Sequence, residues 1–300
     1  MKTLGHVMTA TDLSGPSRFA LERAMRIAAS HGAGCTAVHV VSAGALDELR
    51  HLFGEGGGPV QALVLEQARE RLARMVGAPA AGVPGVGQRV AVGRVVDELV
   101  AQAASLGAEL VVLGARGEGF LRHLVLGTTA ERLLRKLERP VLVVRQMPYD
   151  GYRRVLVAVD FSAASAEALR LASVVAPSAE RVLVHAYDLP FEGKLHFAGV
   201  DDAAIHAYRR RAEREALDRL EAFAREAGLE AGDTRLLVGR GDPSRVVIER
   251  QQDEGCDLIV VGKRGKGLVE ELLLGSVTKH VLAECTTDVL VAVPPASPPA

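Results

Sequence analysis

Leu110-Val111-Val112-Leu113-Gly114-Ala115-Arg116-Gly117, nine further residues and then Gly127-Thr128-Thr129 form a stretch that this chain contains twice. The second copy reads Leu258-Ile259-Val260-Val261-Gly262-Lys263-Arg264-Gly265, nine residues, then Gly275-Ser276-Val277-Thr278. In each copy an apolar run ends on a glycine, a second glycine follows, and a glycine with a hydroxyl residue closes the segment. The offset between copies is 148 residues, and Asp12 and Asp160 each precede the first glycine of their copy by 102. Self-similarity at a fixed offset marks a duplicated structural unit before any single motif is interpreted.

Three hundred residues accommodate two such units, each large enough to bury its own core without disulfides or metals. The division expected is one domain over 1–147, a linker at 148–151, a second domain over 152–294 and a disordered Pro-rich tail at 295–300. The formal net charge is −1, with 48% hydrophobic and 24% charged residues, close to soluble globular averages. No block of like charge points to a nucleic acid, and no apolar run reaches the ~18 residues of a membrane span. Residues 1–12 lack the build of a signal peptide. Cys35, Cys256 and Cys285 share neither metal-ligand spacing nor a common repeat position, which fits a reducing cytoplasm.

Short β-rich runs alternate with amphipathic stretches along the first half. Strands are expected near 4–10, 36–41, 89–92, 109–113 and 141–144, and helices near 16–30, 60–76, 95–105 and 129–137. A loop containing Gly54, Gly56, Gly57, Gly58 and Pro59 precedes the second of these helices. The second half repeats the order, with strands near 154–159, 181–187, 235–238, 257–261 and 289–293. Its longest helix is expected over 203–227, with Arg209-Arg210-Arg211 as a solvated face, and 188–200 is expected as a long loop. Strands alternating with helices imply βαβ crossovers and a parallel sheet, so the class is α/β.

A glycine directly after a central strand lets backbone and ligand approach closely. Nine residues on, Gly-Thr or Gly-Ser opens a helix whose unpaired N–H groups attract anions. Hydroxyls of Thr128, Thr129, Ser276 and Thr278 add possible donors, and Arg116 and Arg264 add charge. Each copy therefore holds the parts of a phosphate cradle. Other nucleotide motifs are missing: no Gly-Lys pair is followed by Ser or Thr, and no G-x-G-x-x-G follows the first strand. Neither a nucleophile elbow nor a zinc-binding H-E-x-x-H occurs. Asp12 and Asp160 have two readings, ligand contact or helix N-cap, although Ser14 or Ser162 could supply the cap instead. His39 and His185 fit hydrogen-bonded core histidines better than catalysts, and no catalytic residue or dedicated metal ligand is assigned.

Thr11-Asp12-Leu13-Ser14 and Val159-Asp160-Phe161-Ser162, His39-Val40 and His185-Ala186, and the two glycine loops together resemble the universal stress protein family in tandem two-domain form. The resemblance implies two Rossmann-like domains of the adenine nucleotide alpha hydrolase type, each a five-stranded parallel sheet of order 3-2-1-4-5 flanked by helices. It implies ATP binding, with Mg²⁺ or Mn²⁺ accompanying the triphosphate. By position, Asp12 and Asp160 would hold ribose, and the backbone of Val40 and Ala186 would meet adenine. Leu113-Gly114 and Val261-Gly262 would line the nucleoside. Gly117, Gly265, Gly127-Thr128-Thr129 and Gly275-Ser276-Val277 would surround the phosphates. A homodimer of tandem chains and an unidentified protein partner are implied as well. Glu270-Glu271, where the first copy has Arg122-His123, would weaken the second site. Two other functions stay open: a nucleotide-free scaffold for protein partners, and an adenylyl-transferring enzyme. The second would need a His-x-Gly-His or Ser-Gly-Gly-x-Asp-Ser type loop after the first strand, and neither occurs.

Overall fold

The computed structural model of the chain describes residues 3–53, 57–77, 85–115, 126–229, 234–265 and 274–294. The chain divides between Gly151 and Tyr152 into two units, with Thr286–Val289 grouped with the first.

In the first unit the elements run β1 (His6–Thr11), α1 (Gly15–His31), β2 (Gly34–Ser42), α2 (Ala43–Phe53), α3 (Gly57–Val76), β3 (Gly87–Gly93), α4 (Val95–Ser105), β4 (Leu110–Gly114), α5 (Thr128–Lys136) and β5 (Val141–Val144). The strand order is β3-β2-β1-β4-β5, the expected 3-2-1-4-5. Each of these neighbours is parallel. Leu110, Val111, Val112, Val141, Leu142 and Val143 are all essentially inaccessible. Continuous apolar strands of this kind arise because helices cover both faces of a parallel sheet.

The second unit repeats the plan: β6 (Arg154–Ala158), α6 (Ala163–Val175), β7 (Glu180–Tyr187), α7 (Glu192–Phe197), α8 (Asp202–Glu226), β8 (Thr234–Arg240), α9 (Pro243–Glu254), β9 (Leu258–Gly262), α10 (Ser276–Glu284) and β10 (Asp288–Ala292). The order β8-β7-β6-β9-β10 reproduces that of the first unit. Even single bonds recur: the amide of Ala115 donates to the Val144 carbonyl at 2.9 Å, and that of Lys263 to the Ala292 carbonyl at 2.7 Å.

Two helices were not expected. The segment before the glycine-rich stretch forms α2, because Leu46 and Leu49, one turn apart, pack onto Val41, Val64, Leu65 and Ala68. α3 begins earlier than expected, at Gly57, with Pro59 in its first turn, where a missing N–H costs nothing. The segment 188–200 contains the short helix α7. Glu192 at its start pairs with Arg209 and, at 2.8 Å, with Arg240, while the Tyr208 hydroxyl donates to the Pro190 carbonyl at 2.8 Å. Arg209 is thus a fastener of α7 and not part of a purely solvated face. The expected tail at 295–300 lies outside the described residues. No helix among the described residues is long and apolar enough to cross a membrane.

All three cysteines are buried. Burial pushes the thiols of Cys35 and Cys256 up to about 12, which leaves almost no thiolate at neutral pH. The expected outcome with a colorimetric disulfide reagent is negligible reaction in the folded protein and release of three equivalents in denaturant. Fast native reaction would contradict this packing.

Candidate functional site

The order of each sheet reverses between β1 and β4 and between β6 and β9. Crossovers leave these neighbouring strands in opposite directions along the sheet, so a crevice opens beyond their carboxyl ends. Ala10 stands in register with Leu113, and Thr11 with His39, so three strands deliver their last residues to one place.

Directly after β1, Asp12 turns the chain. Its Oδ1 accepts from the Ser14 amide at 3.1 Å and from the Ser14 hydroxyl at 2.5 Å. Asp160 does the same for Ser162, at 3.0 and 2.5 Å. The residue between is held left-handed in both copies, Leu13 at φ 66° and Phe161 at φ 61°. For a branched or aromatic side chain this conformation costs roughly 1–2 kcal/mol, so the charged acceptor and its two donors hold a strained turn in place. Ser14 and Ser162 cap α1 and α6 by accepting from the amides of Ser17 and Ser165. The N-cap role thus belongs to the serines, with the aspartates orienting them.

The histidines act on the same junction. His39 Nδ1 lies 2.9 Å from the Thr11 carbonyl and His185 Nδ1 lies 2.8 Å from that of Val159. A carbonyl only accepts, so Nδ1 carries the proton in each ring. These contacts tie the end of β2 to β1, and of β7 to β6, just before the aspartate.

Each glycine loop has its ends drawn together. The Gly127 amide donates to the Ala115 carbonyl, and the Gly275 amide to that of Lys263, both at 2.9 Å. The chain then enters α5 or α10, where Gly127 and Gly275 occupy the N-cap and offer no side-chain acceptor. First-turn N–H groups consequently face the crevice uncapped. Two glycines of the second copy are required by close approach. A Cβ on Gly262 would stand 2.7 Å from Ala164 Cβ, and one on Gly265 would stand 2.7 Å from Asp160 Oδ2. Gly265 thus sets the aspartate carboxylate against the loop.

These parts enclose a cavity in each unit. The first, about 410 Å³, is lined by Thr11, Asp12, Val40, Leu113, Gly114, Gly127, Thr128 and Thr129, and by His39. Arg116 and Gly117, with Arg122 and His123, lie outside the described residues. The second, about 760 Å³, is lined by Val159, Asp160, Ala186, Val261, Gly262, Arg264, Gly265, Gly275, Ser276 and Val277. Glu270 and Glu271 lie outside the described residues. Both volumes suit a small organic ligand. Thr278 is diverted from the crevice, since its hydroxyl donates to the Gly262 carbonyl at 2.7 Å.

Sequence reading missed one wall. Val95 and Leu99 of α4 line the first cavity, and Pro243 and Val247 of α9 line the second. The same offset of 148 relates the pairs, a signal available in the sequence once the repeat was known. Lys279 and His280 line only the second cavity among the described lining residues.

The model of the universal stress protein family matches residues 3–145 and again 151–293. A universal stress protein of Mycolicibacterium smegmatis is 28% identical over 315 residues, covering 96% of this chain and 97% of that protein. A universal stress protein of Mycobacterium tuberculosis strain H37Rv is 30% identical over 253 residues, covering 82% of this chain and 76% of its own length. In architecture the chain is similar to a crystal structure of a universal stress protein from Archaeoglobus fulgidus. That likeness has a TM-score of 0.61 and 19% identity, and covers 96% of this chain and 97% of the other.

Gly262→Ala forces α6 away from β9, and the expected cost is about 1–3 kcal/mol in urea denaturation. Unchanged stability would mean that Ala164 does not sit against this strand end.

Proposed function

The chain belongs to the universal stress protein family, and from that premise we propose that its two crevices bind adenine nucleotide, ATP in particular, as a nucleotide-dependent regulatory module. The observation that carries the reading is one arrangement built twice. An aspartate on a strained turn and an uncapped helix N-terminus face each other across the carboxyl ends of the central strands. Anion-attracting amides at one side and a carboxylate at the other match a ligand with phosphates at one end and a diol near its middle.

In this reading the backbone of Val40 and Ala186 meets the adenine edge, and Asp12 and Asp160 accept from ribose hydroxyls. Leu113-Gly114 and Val261-Gly262 lie along the nucleoside. Gly127, Thr128 and Thr129, or Gly275, Ser276 and Val277, receive the phosphates, with Gly117, Arg116, Gly265 and Arg264 completing the cradle. Among the described residues no group of three or more His, Cys, Asp or Glu side chains could hold a metal, so Mg²⁺ or Mn²⁺ would rest chiefly on the phosphates.

Hydrolysis is slow or absent. His39 and His185 commit Nδ1 to the backbone carbonyls of Thr11 and Val159, which is a structural use of the imidazole and not that of a general base. A cytoplasmic setting, a homodimer of chains and a protein partner that reads nucleotide state belong to the same proposal. The expected ranking of the sites, tighter in the first half, rests on residues outside those described. Among the described residues Lys279 and His280 line the second cavity while their counterparts Glu131 and Arg132 do not line the first, which favours the second site for an anion.

Gentle purification followed by mass analysis of released small molecules tests the reading, with near-stoichiometric ATP as the expected result. An AMP ester would favour adenylyl transfer. No released nucleotide together with no heat on ATP titration would leave the scaffold alternative. Asp12→Asn and Asp160→Asn, made separately, keep an acceptor for the serine while removing the charge from the diol contact. Each is expected to weaken one site at least tenfold, from the loss of about 1.5–3 kcal/mol for a charged hydrogen bond, and to leave the other unchanged.

A further inference from the structure

The turn after β1 has a second side. Next to Asp12 in sequence, Leu13 and Ser14 line a second cavity of about 360 Å³ together with Gly15, Arg18, Arg71, Arg74 and Met75. Arg71, Arg74 and Met75 share one face of α3, spaced three and four residues apart. Arg18 reaches in from the second turn of α1, whose first turn carries no acidic residue. Arg18 lies 3.2 Å from Glu22, with its side chain 65% exposed. Among the described residues no carboxylate lies within ion-pair distance of Arg71 or Arg74. A Cβ on Gly15 would meet nothing within 4 Å, so the space above the start of α1 is open.

The second repeat is the internal control. Ala68 and Leu72 of α3 are buried, as are Ala216 and Leu220 of α8, so the offset of 148 holds for these helices. At that offset Gly15 becomes Ala163, Arg18 becomes Ala166, Arg74 becomes Ala222, and Leu13 and Met75 become Phe161 and Phe223. The two rings pack edge to face with centroids 5.9 Å apart. Arg219, the counterpart of Arg71, places its guanidinium 4.4 Å from the Phe161 centroid. One copy fills this station with aromatic rings and engages its arginine on one of them. The other copy keeps the station open and gathers three guanidiniums around it. The fold therefore does not require the arginines, since its own duplicate is built without two of them.

We propose that the cavity between α1 and α3 is a second binding site, present in the first repeat, for a small molecule bearing two or more phosphate groups. One carboxylate is satisfied by one guanidinium fork, whereas three forks around a single pocket match the several oxygens and multiple charge of linked phosphates. The Asp12–Ser14 turn is a shared wall, with Asp12 lining the crevice and Ser14 the arginine cavity. The site is separate from the proposed nucleotide crevice and does not depend on that crevice binding ATP.

The probe is inorganic pyrophosphate, titrated calorimetrically into the full chain and into its arginine variants. The expected result is binding that includes a component lost in the arginine variants and that weakens on adding salt. Arg71→Gln with Arg74→Gln should weaken binding at least tenfold with an unchanged melting temperature, and Arg18→Gln, on a different helix, should weaken it independently. Asp12→Asn should leave pyrophosphate affinity within about twofold of wild type while reducing ATP affinity, which separates failure of one site from failure of the other. No binding at millimolar pyrophosphate, or binding indifferent to the arginine substitutions, would overturn the proposal.

Discussion

Everything at the crevice depends on the parallel pairing of β1 with β4, and of β6 with β9. Asp12 and Gly114, 102 apart in sequence, meet because the chain leaving β3 crosses back past β2 to the free edge of β1, where β4 pairs, and the sheet is wound outward in both directions from that pair. The apolar runs that pair there are buried on both faces, which makes the register of Ala10 with Leu113 costly to shift. A one-residue slip would carry Asp12 away from the glycine loop and turn the interior side chains of β1 to the opposite face. Core packing and site geometry are thus the same constraint seen from two ends of one strand.

The aspartate turn is the local counterpart of that constraint. Two donors from one serine converge on a single carboxylate oxygen, and the following residue adopts a left-handed backbone although it is leucine or phenylalanine. Glycine would remove the strain at this position, yet it would also remove the side chain that packs beneath the turn. Leu13 packs against the cluster formed by Leu21, Ala37, Leu72 and Val76, and Phe161 lies against His185 and Phe223. The turn is therefore held from above by charge and from below by packing. A carboxylate fixed in this way presents a defined edge to the crevice, which is how a strained backbone comes to reside at a binding site.

The repeat made two α/β units and their matching glycine loops readable from residues alone, because duplication supplies its own alignment; the strand order, and with it the facing of Asp12 to Gly114, followed from the family resemblance. What escaped reading had two causes. The helix Ala43–Phe53 has a single buried residue, Leu46, so its apolar signal is weak, and the neighbouring glycines dominate the local pattern. Glu192–Phe197 is a helix because of long-range ion pairs to Arg209 and Arg240, and no local pattern encodes a partner seventeen or forty-eight residues away. Thr278 illustrates the limit at the site itself. Its hydroxyl sits in the right segment for a phosphate donor, but its burial at 3% and the nearby Gly262 carbonyl assign it to the fold.

Duplication also separates what the fold demands from what one copy adds. Where both copies keep a feature, such as the Asp–Ser turn, the histidine clasp or the uncapped glycine at the entry to α5 and α10, each half needs it for the same geometry. Where they differ, the difference is free of that demand. The α1–α3 station is the clearest divergence: leucine, methionine and three arginines in one half, two phenylalanines with a stacked arginine in the other. An aromatic filling contributes buried apolar area and a cation–π contact of about 0.5–1 kcal/mol. Of the three arginines that line the open station, only Arg18 has a carboxylate partner among the described residues, Glu22, and packing gives no reason to keep the other two beside it. The arrangement is favourable when an anion lies among them, so the unfilled half of the pair is the half in which ligand chemistry, and not core packing, accounts for the residues present.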